Sequence, residues 1–136
     1  MAKKSKTELF GKHPLAKAIE PVVEEWSKNN YPAVNGKEIT YVTRELFKWW
    51  FSDQAHENEN FHICQKRALE TIIYCYEILN IPLVETLFEI FSSNLLEKEN
   101  LKAGIKDIKH PRFAIKMATG TGKTWVITAI MVWQYW

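Results

Sequence analysis

The chain has 136 residues, of which 46% are hydrophobic and 25% are charged, a composition typical of one globular domain with an ordinary core. Its formal net charge of +2 is too small to indicate a protein that binds nucleic acid or membranes through its overall charge, so any DNA contact has to be local. We find neither a secretory signal nor an apolar run as long as a membrane span, which predicts a cytoplasmic protein with no membrane segment.

The two cysteines are not expected to form a disulfide. Cys64 and Cys75 fall in one predicted helix, where the rise between them is about 16 Å, too far for a bridge. The four histidines are scattered and make no paired Cys/His spacing, so we expect no zinc site.

The N-terminal region, residues 1–60, is predicted to be helical. Apolar residues recur at helical spacing over 14–28, and Pro21 is predicted either to kink this helix or to begin a second one. A loop rich in turn formers over 29–36 then leads to a second helix. Thr40 or Thr43 is the expected cap of that helix.

The second helix is predicted to bury one apolar face, made by Val42, Leu46, Trp49 and Trp50. The adjacent tryptophans Trp49 and Trp50 are candidates for stacking on nucleic-acid bases. Because no basic residues alternate with them, we expect core packing instead.

A polar, acidic loop, 52–60, is predicted to separate the N-terminal region from a second region, 61–136. A third helix follows, with an apolar face expected to contain Leu69, Ile72, Ile73, Tyr76 and Leu79. A fourth amphipathic helix is predicted from Pro82 to about Lys102, because a proline suits its first turn and Gly104 lies beyond its end.

Residues 113–127 show the pattern of a strand, a glycine turn and a helix, which together form a phosphate-binding loop. Apolar residues alternate before the turn, and Gly120 and Gly122 supply the backbone freedom that the turn needs. Lys123 and Thr124 then open an apolar helix, whose first N–H groups can surround a phosphate. In this motif the lysine reaches the β- and γ-phosphates and the threonine hydroxyl binds Mg²⁺.

The octet Met117-Ala-Thr-Gly-Thr-Gly-Lys-Thr124 resembles motif I of superfamily 2 helicases and translocases. The general pattern has a glycine where Met117 stands, and this superfamily commonly replaces it. Within the superfamily the octet is most similar to the helicase-type subunits of type I and type III restriction enzymes. The resemblance covers the chain from about Phe61 onwards. It implies an α/β fold, in which a mostly helical region precedes the first strand, P-loop and helix of an incomplete RecA-like domain.

The resemblance also implies the ligands and partners. The sequence Cys-Gln-Lys-Arg-Ala around Gln65 is similar to an element whose glutamine hydrogen-bonds adenine, and a side-chain amide has the donor and acceptor for that pairing. The implied ligands are ATP and Mg²⁺, and the implied partners are duplex DNA and a methyltransferase or modification subunit. Lys123 is then the catalytic residue and Thr124 the metal ligand. The remaining ATP-binding residues are Thr119, Gly120, Thr121 and Gly122.

The last predicted helix, from Trp125 to Trp136, is apolar on every side, which predicts burial all round. The upstream elements are too few to cover it, and no Walker B carboxylate follows the phosphate loop. We therefore expect the chain to be the N-terminal part of a longer ATP-dependent DNA motor and to be inactive by itself. Two other interpretations stay open. A P-loop kinase or nucleotide switch has the same loop without needing Gln65, and a non-catalytic helical module binds no nucleotide.

Overall fold

The computed structural model describes residues 14–52, 61–80, 84–91, 115, 117, 120 and 122–136. The described helices are α1 (Pro14–Lys28), α2 (Tyr41–Phe51), α3 (Ile63–Ile73), α4 (Val84–Phe91) and α5 (Lys123–Tyr135). A π-helical turn, Tyr74–Ile78, continues α3 directly. None of the described helices is long and apolar enough to cross a membrane.

The predicted α/β fold is confirmed only in its helical part. Over the described ranges the β pairing consists of one isolated bridge, between Val34 and Lys37. Of the predicted strand, Ile115 and Met117 are described, and neither has strand conformation. The rest of that strand, the predicted boundary loop at 53–60 and the predicted fourth helix beyond Phe91 lie outside the described residues.

Helix α1 runs without interruption through Pro21, so the prediction of a second helix start is wrong. Pro21 lies on the exposed side of α1, where water can satisfy the carbonyl that loses its backbone partner. The opposite side buries Ile19, Val23 and Trp26, spaced by four and three residues as an amphipathic helix requires.

Of the two predicted caps of α2, Thr40 is the one observed: it precedes Tyr41, and its hydroxyl accepts a hydrogen bond from the backbone N–H of Thr43 at 3.2 Å. Its predicted buried face is partly wrong. The structure buries Thr43, Phe47 and Trp50, whereas Trp49 is 56% exposed. The buried face contains a threonine whose hydroxyl is hydrogen-bonded, and hydrophobic periodicity alone gives no weight to such a residue.

The π turn after α3 changes which residues face the core. Leu69 and Ile73 are fully buried as predicted, but the next buried residues are Tyr74, Cys75 and Ile78 rather than Tyr76 and Leu79. A π turn contains one more residue than an α turn, so every following side chain is rotated around the helix axis relative to the α-helical expectation. Cys64 and Cys75 are free thiols, and burial raises the pKa of Cys75 to about 11.

Helix α3 lies at the centre of the fold, where α1 packs on one part of it and α5 on another, while α2 also contacts α5. The core is rich in aromatic rings: Trp26 meets Tyr74 edge to face at 5.0 Å, and Phe47 lies 4.6 Å from Tyr31. Such pairs add about 0.5–1.5 kcal/mol beyond the burial of their area. The same core includes Val126 and Ala129 of α5, so the helix that follows the glycine turn is fixed to the N-terminal helices.

Helix α5 buries only one of its sides. Val126 and Ala129 face α3, whereas Ile127, Met131 and Tyr135 are 58%, 66% and 88% exposed. Among the described elements, α2 and α3 pack against a single side of this helix. Its other sides stay exposed, in agreement with the expectation that the upstream elements are too few to cover it.

Candidate functional site

The glycine turn leads into α5 with the backbone geometry that the sequence pattern predicts. Gly120 and Gly122 have φ angles of 81° and 75°, in the left-handed region that favours glycine. Helix α5 begins at the next residue, Lys123, and the side chains of Lys123 and Thr124 are both exposed at its start. The predicted binding residues Thr119 and Thr121 lie outside the described residues.

Gln65 lies directly against this turn. Its side-chain Nε2 donates to the carbonyl oxygen of Gly122 at 3.2 Å, although the two residues are 57 positions apart in the chain. Its Oε1 accepts from the backbone N–H of His62 at 2.8 Å, which satisfies one of the unpaired N–H groups at the start of α3. The structure thus brings the two predicted sites, Gln65 and the glycine turn, into contact.

Gly122 has a second constraint besides its φ angle. A Cβ atom at this position would lie 2.2 Å from Nε2 of Gln65, which is closer than real Cβ contacts, whereas a Cβ atom at Gly120 would have no described residue within 4 Å. The close approach of Gln65 to the turn therefore depends on the missing side chain at Gly122.

The arrangement at the start of α5 suits an anion. The first backbone N–H groups of a helix have no partner within it, and they carry the positive end of the helix dipole. The exposed Lys123 side chain adds a full positive charge at the same end, and the exposed Thr124 adds a hydroxyl. A phosphate with a bound cation fits this set of donors and ligands.

Two aromatic residues beside the site were not among the predicted functional residues. Phe61 precedes α3, and its ring lies 6.4 Å from that of Trp125 in an edge-to-face arrangement. Phe61 also packs on Trp50 and Phe51 of α2. The sequence indicated Phe61 only by its place just before α3, the helix that carries Gln65. Its contacts with α2 and α5 depend on the tertiary structure.

The comparison with known protein families decides the assignment. The family described as type III restriction enzyme, res subunit, matches residues 58–136, more than half of the chain. The chain belongs to this family. The matched segment includes α3 with Gln65 and the start of α5 with Lys123 and Thr124. The search of curated proteins and the search of solved structures found no match.

Membership of the res subunit family confirms the resemblance noted from the octet at 117–124. It supports a helicase-type domain like that of the res subunits of restriction enzymes. Among the described residues, the contact between Gln65 and Gly122 joins the two sequence elements on which that resemblance depends.

A buried carboxylate in α3 was not predicted to matter. Glu70 is completely buried, and its Oε1 has no hydrogen-bond partner among the described residues. Arg67 Nη1 lies 3.5 Å from one carboxylate oxygen and Lys66 Nζ lies 4.0 Å from the other. Burial raises the pKa of Glu70, and the Ser27 hydroxyl, Lys66 and Arg67 oppose this shift.

The raised pKa predicts a pH-dependent stability that Glu70→Gln removes. The folded state binds the Glu70 proton more tightly than the unfolded state does, so this stabilisation is complete below the ordinary pKa of 4.5 and is lost as the pH rises through the folded-state pKa. We therefore expect the melting temperature of Glu70→Gln, measured relative to the wild type by circular dichroism, to increase from pH 4 towards neutral pH.

The matched control is Glu45→Gln on α2, which replaces an exposed carboxylate that pairs with Lys48. Its melting temperature relative to the wild type should show no such rise with pH. An equal pH dependence in the two variants would contradict the role given to Glu70.

Proposed function

We propose that this chain binds Mg²⁺-ATP at the turn that opens α5 and that it does so within an ATP-dependent DNA helicase or translocase of a restriction system. The observation that carries the proposal is the start of α5, where Lys123 and Thr124 directly follow a left-handed Gly122 that contacts Gln65. Membership of the res subunit family supports the same activity.

Each residue has a proposed role that follows from its chemistry. Backbone N–H groups from Thr119 to Thr124 surround the phosphates, and Lys123 stabilises negative charge on the transferring phosphoryl group. The Thr124 hydroxyl would supply one ligand for Mg²⁺, and the bound cation would neutralise part of the negative charge of the phosphates.

The proposal extends to partners and organisation. The proposed DNA substrate of the motor is duplex DNA. Its proposed protein partner is a methyltransferase or modification subunit of a cytoplasmic restriction enzyme. Residues 1–60 form the proposed helical N-terminal part and 61–136 the start of the ATPase part. Packing of α1 and α2 around α3 and α5 supports a close mechanical connection between the two parts.

The direct test is a titration of the chain with a fluorescent ADP analogue in the presence and absence of Mg²⁺. We expect saturable binding that unlabelled ATP displaces and that Mg²⁺ strengthens. Failure of the chain to bind either nucleotide would contradict the proposed function and would favour a non-catalytic helical module.

A second test concerns Gln65, for which two roles lead to different outcomes. If the amide pairs with adenine, Gln65→Ala weakens ATP binding and shrinks the preference for ATP over GTP, because a lost polar contact reduces discrimination. If the amide acts only through its contact with Gly122, both nucleotides weaken by the same factor. We propose the adenine contact, so we expect the ATP to GTP affinity ratio to fall.

The matched control for Gln65→Ala is Asn29→Ala, which removes an exposed side-chain amide at the end of α1. It should leave both affinities unchanged. An unchanged ATP to GTP ratio in Gln65→Ala would exclude base recognition by this residue and leave only its contact with the turn.

A further inference from the structure

Helix α5 is held by α3 and its π turn at two places. Near its start, Gln65 of α3 contacts Gly122, the residue just before Lys123. Near its other end, Trp133 contacts two residues of the π turn. Its indole Nε1 donates to Glu77 Oε1 at 3.1 Å, and its ring lies edge to face on Tyr76 at 5.5 Å.

Glu77 is the centre of a hydrogen-bonded cluster that joins three elements. The backbone N–H of Thr40, the cap of α2, donates to Glu77 Oε2 at 2.8 Å. The Thr43 hydroxyl donates to Oε1 of the same carboxylate and accepts from Trp133 Nε1 at 2.9 Å. An ionised carboxylate accepts hydrogen bonds and donates none. Here the start of α2 and the end of α5 both donate to the Glu77 carboxylate.

Tyr76 and Glu77 both lie inside the π turn. It adds one residue relative to an α-helical turn, which rotates the following side chains by about 100° around the helix axis. From this irregular turn, two neighbouring side chains contact Trp133 of α5, the helix that carries Lys123.

We infer that Glu77 is a positioning residue for the nucleotide site, which couples the N-terminal helices to the helix that binds the phosphates. It acts through Trp133 and α5: among the described residues, its carboxylate accepts hydrogen bonds from Thr40, Thr43 and Trp133. This inference rests on the proposed function, because it concerns the affinity of the same site for Mg²⁺-nucleotide. Movement of α2 relative to α5 would change the cluster and, through it, the placement of Lys123.

The test is Glu77→Gln, which keeps the size of the side chain but replaces one of the two carboxylate oxygens by an NH₂ group. Oε2 accepts from Thr40, and Oε1 accepts from Thr43 and Trp133, so either replacement removes an acceptor that the cluster uses. We expect the affinity for the fluorescent ADP analogue with Mg²⁺ to fall about fivefold or more, the usual range of a coupling between sites. Binding is measured well below the melting temperature of the variant, with its helix content checked by circular dichroism. Glu45→Gln, the exposed carboxylate of α2, is the control and should bind as the wild type does.

A second measurement separates positioning from general stability. Coupling is reciprocal, so nucleotide binding should slow hydrogen exchange at the Trp133 indole N–H in the wild type and in Glu45→Gln but not in Glu77→Gln. If Glu77→Gln does not fold, Trp133→Phe takes its place, because it keeps an aromatic ring and removes the indole donor. Like Glu77→Gln, the Trp133→Phe variant should bind the nucleotide more weakly than the wild type does.

The outcomes distinguish this inference from the proposed function. Absence of nucleotide binding by the wild-type chain would overturn both. Normal binding by the wild type together with an unchanged affinity in Glu77→Gln, or in Trp133→Phe where the first variant does not fold, would overturn only the positioning role. The positioning role would also be overturned if nucleotide binding did not change the hydrogen-exchange rate of the Trp133 indole N–H in the wild type.

Discussion

In the proposed ATP-dependent motor, replacing Lys123 with alanine should abolish ATP hydrolysis, while the fold stays intact. Loss of one preorganised charge contact with the transferring phosphoryl group raises the barrier by about 3 kcal/mol or more, which is roughly a hundredfold in rate. The Lys123 side chain is exposed at the start of α5 and contributes nothing to the core, so the melting temperature should remain close to that of the wild type.

The measurement is the steady-state rate of Mg²⁺-dependent ATP hydrolysis by the purified variant. Lys17→Ala is the matched control, because it removes an exposed lysine from α1 and should leave the rate unchanged. Hydrolysis near the wild-type rate in Lys123→Ala would defeat the assignment of the site.

Replacing Gly122 with alanine should both destabilise the chain and weaken nucleotide binding. A non-glycine residue at a φ of 75° costs about 1–2 kcal/mol. The new Cβ would lie 2.2 Å from Gln65 Nε2 and displace it. The lost hydrogen bond to Gly122 adds about 0.5–1.5 kcal/mol. The total loss of unfolding free energy should therefore be about 1.5–3.5 kcal/mol, measured by urea denaturation.

Gly36→Ala separates the two contributions. Gly36 has a φ of 77°, nearly the same as Gly122, but nothing lies within 4 Å of a Cβ placed there. This variant should lose only the backbone contribution and should keep its nucleotide affinity.

A double-mutant cycle then isolates the clash itself. In Gly122→Ala combined with Gln65→Ala, the steric part of the Gly122→Ala effect should disappear, so the two losses should not add. Simple additivity, or equal losses in Gly122→Ala and Gly36→Ala, would show that the close contact with Gln65 has no energetic consequence.

The features that the sequence determined by itself are local. The helix at 14–28 and the cap at Thr40 follow from spacing and residue type within a few positions, and the structure confirms them. The start of α5 at Lys123, directly after two glycines with positive φ, likewise follows from neighbouring residues. A backbone turn and a helix start depend on contacts within about four residues, so a short motif specifies them and also identifies the family.

The tertiary structure alone decided how distant parts of the chain meet. Gln65 contacts Gly122 across 57 positions. Glu77 contacts Trp133 across 56 positions and Thr40, the cap of α2, across 37 positions. The π turn that contains Glu77 replaces one α-helical turn by a conformation with different side-chain directions, which hydrophobic periodicity does not predict. These contacts form because buried donors need acceptors once α1, α2 and α5 pack around α3, and that requirement arises only in the folded chain.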